Sequence, residues 1–167
     1  MSRLSTIELF KENMKFSAGH FTIFSNTVRE NLHGHNYNVH TCFTTRIEDE
    51  GLSFDYRFYK DKLFKICQRI DETTILPGTS HYLTFEEKGD YYHVYFDKEV
   101  MIFLKRDVTI LPIRNVTVEE LSNWFLEQIL ADKQELLNNK ICEIQVKVFS
   151  GPGQSGLASW QLNKNDE

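Results

Sequence analysis

His33 and His35 flank a glycine, and Glu30 stands three residues before the first of them. On a strand, residues two apart share a face with Cα atoms about 7 Å apart, so both imidazoles can reach one ion. Three neutral imidazoles with an open fourth position make the layout of a catalytic zinc site. His20, at the end of a preceding extended run, is the best-placed third ligand. Other divalent ions suit imidazole as well, and availability favours zinc. A strand that merely carries two histidines has the same spacing, so spacing alone leaves both readings open. His40 is offset from His35 by an odd number and faces the other way. His81 and His93 fall in a hairpin segment, where an exposed histidine is ordinary. Glu30 is the one carboxylate in the loop leading into the histidine strand. It reads either as a general base or as a loop charge paired with Arg29 or Arg46.

The elements that must position these residues follow from periodicity. Residues 14–24 read as a strand, 25–30 as a loop, and 35–47 as a long second strand. His35, Tyr37, Val39, Thr41 and Phe43 share one face of it, while Asn36, Asn38, His40 and Cys42 share the other. "EDEG" at 48–51 turns the chain. Residues 54–70 carry Tyr59, Leu63, Ile66 and Ile70 at helical spacing, with Asp55 as the expected N-cap. "TILPGTS" breaks that helix. Residues 81–96 read as a hairpin turning at Lys88–Asp90, and 100–104 and 108–113 as short extended pieces. Thr117 caps a second helix in a capping box with Glu120; Val118, Leu121, Phe125 and Ile129 form its apolar stripe. "EIQVKVF", 143–149, is the last strand expected, and the polar tail from Leu162 is expected to fray. "SGPGQSG", 150–156, lacks the lysine and spacing of a phosphate loop and reads as a turn. Two strands joined by a ten-residue loop pair antiparallel, giving an α+β arrangement: an antiparallel sheet with two helices on one face.

The bulk composition narrows the partners. A length of 167 residues suits a single domain, and 41% apolar residues, 13 of them phenylalanine, can build a core without disulfides. Net charge is −5, and no basic run exceeds two residues, so nucleic acid is not an expected partner. Cys42, Cys67 and Cys142 are odd in number and widely spaced, which fits free thiols in a reducing cytoplasm. The N-terminal stretch has charges and no unbroken apolar region, and no run approaches a membrane span, so neither signal peptide nor membrane is expected.

"FSAGH" followed by "LHGHNYNV" resembles the family of 6-pyruvoyltetrahydropterin synthases and 6-carboxytetrahydropterin synthases. "GLSFDY", "PIRNVTVEEL" and "VKVF" continue the likeness over about the whole chain. The resemblance implies a tunnelling fold over residues 1–167, Zn2+ held by His20, His33 and His35, and a homo-oligomer, a hexamer of two trimers. It implies a small-molecule pterin-like substrate in the cytoplasm, serving folate or queuosine biosynthesis, and no membrane or nucleic-acid partner. Where the family usually has a cysteine before its His-Gly-His, this chain has Glu30. That arrangement is similar to a subgroup, in malaria parasites and some bacteria, that cuts the side chain of 7,8-dihydroneopterin triphosphate to give 6-hydroxymethyl-7,8-dihydropterin.

The resemblance also assigns roles and shows departures. Asp71 keeps half of an Asp-His proton relay, with Glu72 where the histidine would be. Thr117 and Glu119 match substrate-contacting positions, although a helix cap and a favourable charge at a helix N-terminus account for them equally. Ser150 stands where a glutamate would accept hydrogen bonds from the pterin edge. The function implied is a zinc-dependent lyase acting on the side chain of a reduced pterin triphosphate, with 6-hydroxymethyl, 6-pyruvoyl or 6-carboxy pterin as products. The alternative is a divergent zinc-binding relative with a different heterocyclic ligand or a non-catalytic binding role. A cupin-type metal site is disfavoured, since it wants a glutamate four residues past the second histidine and Val39 is there.

Overall fold

Alternation of apolar and polar residues decides which side of the sheet is buried. The computed structural model describes residues 3–47, 49 and 51–162. Its strands are β1 (Arg3–Leu9), β2 (Lys15–His20), β3 (His33–Ile47), β4 (Thr73–Pro77), β5 (Thr84–Lys88), β6 (Tyr91–Phe96), β7 (Glu99–Leu104), β8 (Val108–Leu111), β9 (Ile141–Gly151) and β10 (Gln154–Gln161). Its helices are α1 (Arg57–Ile70), α2 (Val118–Leu130) and the short α3 (Lys133–Asn138). Seven strands form one sheet in the order β10-β9-β3-β2-β4-β8, and β1 lies beside the second half of β3. The other three form an antiparallel meander, β5-β6-β7.

β3 is the spine. Its first half pairs with β2, from His20 opposite His33 to Lys15 opposite Asn38. Its second half pairs with β1, from Leu9 opposite Thr41 to Arg3 opposite Ile47. Along its other edge it pairs with β9. Tyr37, Val39, Thr41 and Phe43 of β3 join Ile144, Val146 and Val148 of β9 on the buried face. There they meet Tyr59, Leu63, Ile66 and Ile70 of α1 and Leu121, Phe125 and Ile129 of α2. Phe16 stacks on Tyr37 at 4.7 Å and lies 5.8 Å from Phe125, contacts worth about 0.5–1.5 kcal/mol each beyond area burial. A second, smaller cluster under the meander joins Phe21, Ile23 and Leu76 to Val94 and Phe96.

Several expectations need correction. The sheet is mixed, because β4 runs parallel to both β2 and β8. β1, β4, β10 and α3 are additional elements, and β3 begins at His33 rather than His35. The first strand ends at His20; beyond it Ile23 makes only an isolated bridge to Arg29. The cap of α1 is Tyr56, while Asp55 stands one residue earlier and accepts from the Arg57 N–H at 3.0 Å. Thr117 caps α2 by accepting from the Glu120 N–H at 3.3 Å, but Glu120 turns its carboxylate to the Arg114 N–H instead of completing the box. Two expected turns do form: the hairpin turns at Gly89, within Lys88–Asp90, and Pro152–Gly153, within 150–156, make the turn between β9 and β10. The expected turn at 48–51 lies partly outside the described residues, and the expected tail lies outside them beyond Leu162.

Gly156 brings β10 against the N-terminus of α2. A Cβ there would stand 2.2 Å from the Val118 carbonyl oxygen and 2.7 Å from the Glu119 nitrogen, both backbone atoms. At Gly151 a Cβ would meet nothing within 4 Å. Gly156→Ala is therefore expected to lower unfolding free energy by about 1–3 kcal/mol in urea titration, while Gly151→Ala stays near wild type. Equal stability of the two variants would refute the packing account.

Candidate active site

The face that carries the core also carries the histidines. Phe16, Ala18 and His20 are buried on β2, alternating with exposed Lys15 and Ser17 and half-buried Gly19, and His33 and His35 precede Tyr37 on β3. The core therefore runs continuously into three imidazoles at one end of the sheet. His20 ring centroid lies 4.5 Å from His33 and 5.1 Å from His35, and one ring nitrogen from each of the three falls within 4.8 Å of the others.

Backbone carbonyls orient two of the rings. His20 Nδ1 lies 3.0 Å from the Val116 oxygen, and His33 Nδ1 lies 2.9 Å from the Asn31 oxygen. A carbonyl only accepts, so both Nδ1 atoms carry the proton and both Nε2 atoms present lone pairs. His33 and His35 Nε2 approach to 3.0 Å. His20 Nε2 is buried and has no hydrogen-bond partner among the described residues. Burial, reinforced by His33 and His35, holds the His20 pKa below the ordinary imidazole value despite the Val116 contact. Buried polar atoms are normally paired, and an orphaned lone pair aimed at two others suits a cation. The donor set thus fits a tetrahedral metal with one position left for another ligand.

Glu30 lines the same cavity, of about 220 Å³, with His20, His33 and His35. Its Oε2 accepts from the Thr22 N–H at 2.9 Å, and its own N–H donates to the Thr22 carbonyl at 2.8 Å. Burial pushes the Glu30 carboxyl up, but the Thr22 hydrogen bonds and the nearby His33 and His20 outweigh it, so its pKa falls below the usual value. Glu30 is a carboxylate at neutral pH. Thr117, Glu119 and Ser150 line the cavity too, beside Tyr37 and Gln154. Gln154 Nε2 donates to Ser150 Oγ at 2.7 Å, so a neutral pair forms that wall.

Asp71 is not brought into this cavity. Its Oδ1 accepts from the Ser17 N–H at 2.7 Å, and the Glu72 N–H donates to the Ser17 carbonyl at 2.8 Å. The pair docks the end of α1 on the edge of β2, with Glu72 in the left-handed region. Asp71 faces a separate cleft with Lys15, Asn36 and Asn38.

Two residues that shape the site gave no motif. Arg29 donates from Nε and Nη2 to Glu99 of β7, at 2.8 and 2.5 Å, and from Nη1 to the Glu30 carbonyl at 2.8 Å. Its guanidinium also lies over Phe21 and Phe96. Asn115 accepts from the Ile23 and Val116 N–H groups, both at 3.0 Å, and donates to the Ile23 carbonyl at 2.8 Å. It joins the segment carrying Glu30 to the segment whose Val116 carbonyl holds His20.

Comparison with known proteins agrees with this geometry. A mixed sheet with helices on one face and an imidazole cluster at its end defines an α+β protein of the tunnelling fold. The model of the family described as 6-pyruvoyl tetrahydropterin synthase matches residues 8–156, and the chain belongs to that family of lyases. A Methanocaldococcus jannaschii protein provisionally named 6-carboxy-5,6,7,8-tetrahydropterin synthase is 29% identical over 84% of this chain and 86% of its own length. The Plasmodium falciparum 6-pyruvoyl tetrahydropterin synthase structure superposes with a TM-score of 0.89 at 29% identity, covering 95% of this chain and 99% of that one. The Plasmodium vivax 6-pyruvoyltetrahydropterin synthase gives 0.90 at 28% identity, covering 96% and 99%. That protein was also solved with a catalytic glutamate replaced by alanine or by cysteine.

Asn115→Ala strands two part-buried N–H groups. It is expected to cost about 1–3 kcal/mol per unsatisfied group and to lower the urea midpoint without changing the slope. An unchanged midpoint would show that Asn115 does not hold the two segments together.

Proposed function

We propose that this protein is a zinc-dependent lyase acting on the side chain of a reduced pterin triphosphate, 7,8-dihydroneopterin triphosphate, with Glu30 as general base. His20, His33 and His35 would hold the metal. The observation that carries the reading is one cavity lined by three convergent imidazoles and a carboxylate outside their ligand set. The Plasmodium vivax structures, in which a glutamate is named catalytic, support the same role for Glu30. Bound zinc would supply a Lewis acid that lowers the pKa of a side-chain hydroxyl and polarises a carbonyl.

The chain's own residues do the rest. Glu30, ionised and held by Thr22, accepts a proton from the substrate side chain at its carboxylate. Tyr37, whose phenol burial pushes well above its ordinary pKa, stays protonated beside it and can donate a hydrogen bond. Glu119 and Thr117, at the start of α2, face the cavity and can meet the heterocycle. Asp71, docked on β2, could serve a site only from another subunit or through rearrangement. The assembly belonging to this proposal is a cytoplasmic homo-oligomer, a hexamer of two trimers, which would cover the free sheet edges.

A second reading keeps the metal and changes the ligand. The Ser150–Gln154 pair is neutral where the family resemblance implies a carboxylate, and a hydroxyl cannot give bidentate, charge-assisted acceptance. A heterocycle presenting acceptors on that edge would suit the wall better than an unmodified pterin.

Incubation with 7,8-dihydroneopterin triphosphate and mass spectrometry of the products tests the reaction. No consumption of that substrate by zinc-loaded enzyme would overturn the first reading. His35→Ala is expected to lose most bound zinc by elemental analysis. Glu30→Gln should keep zinc and lose roughly two to four decades of turnover; unchanged turnover would remove Glu30 from the chemistry. Ser150→Glu separates the two ligands. An unpaired pterin donor costs about 1–3 kcal/mol, so this variant should bind neopterin about tenfold tighter or better by calorimetry if the ligand is a pterin. Weaker binding favours the second reading.

A further inference from the structure

The sheet face away from α1 and α2 carries its own cluster of donors. His40 and Cys42 are two apart on β3 and share that face, and Glu8 of β1 is the register partner of Cys42. His40 Nε2 lies 3.4 Å from Glu8 Oε2 and 3.7 Å from Cys42 Sγ, and all three donor atoms lie within 4.8 Å of one another. We infer that Glu8, His40 and Cys42 form a second cation site, for a borderline divalent metal of the zinc or cobalt type.

The spacing matches what such an ion requires. Nitrogen and oxygen ligands about 2.0–2.1 Å from zinc and a thiolate about 2.3 Å away, at tetrahedral angles, stand about 3.3–3.6 Å from each other. The His40–Glu8 and His40–Cys42 separations are close to those edges. A Cys-His-Glu nucleophile is the competing account, and the geometry opposes it. A relay needs the carboxylate on one ring nitrogen and the thiol on the other. Here both approach the same nitrogen, so they converge on a point instead of forming a chain.

The surroundings favour a cation. Glu143, on β9, bears on Cys42 together with Glu8, and Lys147 opposes them. Two carboxylates against one ammonium leave the surroundings of Cys42 net negative. The Phe10 ring, 5.4 Å from the His40 ring, covers one side of the imidazole. A nitrogen, sulfur and oxygen donor set selects borderline transition metals over magnesium or calcium. An ion there would link β1 to β3 at a point independent of the three-imidazole site.

Cobalt(II) distinguishes the two sites, because a thiolate ligand gives a sulfur-to-metal charge-transfer absorption that an all-imidazole set cannot. Metal-free protein titrated with Co2+ should show that band and, with the imidazole site also loaded, bind two equivalents. The His33→Ala/His35→Ala double variant should keep the band and bind one. Cys42→Ser should lose the band. Glu8 is two-thirds exposed, so Glu8→Gln should fold normally and need about tenfold more Co2+ for the same absorbance. No thiolate band in wild type, or a band that survives Cys42→Ser, would overturn the proposal. The band reports this site even if the imidazoles bind no metal.

Discussion

The pairing of His20 with His33 across β2 and β3 is the constraint on which the rest of the structure depends. It places Phe16 opposite Tyr37 and Ala18 opposite His35 in the same step. The side-chain period of a strand is two, so a slip of one residue would turn the aromatic core and the imidazole cluster to the other face together. Core and site are therefore one pattern, apolar along most of its length and made of imidazoles at its end. The hydrophobic burial of Phe16, Tyr37 and Val39 is what keeps the three imidazoles in register.

Around that register the polar groups are held from several directions. The Val116 carbonyl comes from the entry to α2, the Asn31 carbonyl from the loop before β3, and Thr22 from the segment just past β2. Arg29 ties the Glu30 loop to the meander. An exposed ion pair is worth only about 0.2–1 kcal/mol, but Arg29 is mostly buried and lies over two phenylalanines, so its contribution is partly packing. The small sheet thereby acts as an outrigger for the loop that carries the carboxylate.

The chemistry-bearing residues were easier to read than the sheet. His-Gly-His has a strand period, His20 ends a run, and Thr117 with Glu120 announces a helix start; each signal is local. β10 has none of that strength, because Gly156 and Ala158 succeed by being small against α2. β1 buries only Leu9 fully, so its alternation is faint against charged neighbours. The parallel pairing of β4 depends on β2 and β8, which no local pattern connects. Asn115 and Arg29 act through contacts with distant segments and carry no spacing of their own. Asp71 is the opposite case: a residue legible by family likeness whose carboxylate, within one chain, accepts from the Ser17 N–H on the edge of β2.

The antiparallel seam between β3 and β9 joins residues far apart in the chain, Val39 to Val148 among them. Loop closure of that span must precede any reward from the contacts it makes, which slows folding of such topologies. During synthesis from the ribosome, the imidazole strand emerges early and waits with one edge open until the C-terminal segment arrives. The wall bearing Ser150 and Gln154 is thus added last, onto a spine already carrying the three histidines. An unfinished edge of β-branched and aromatic residues is an aggregation hazard in that interval. The polar outward side of β3, with Asn36, Asn38, His40 and Thr44, makes the waiting strand less adhesive.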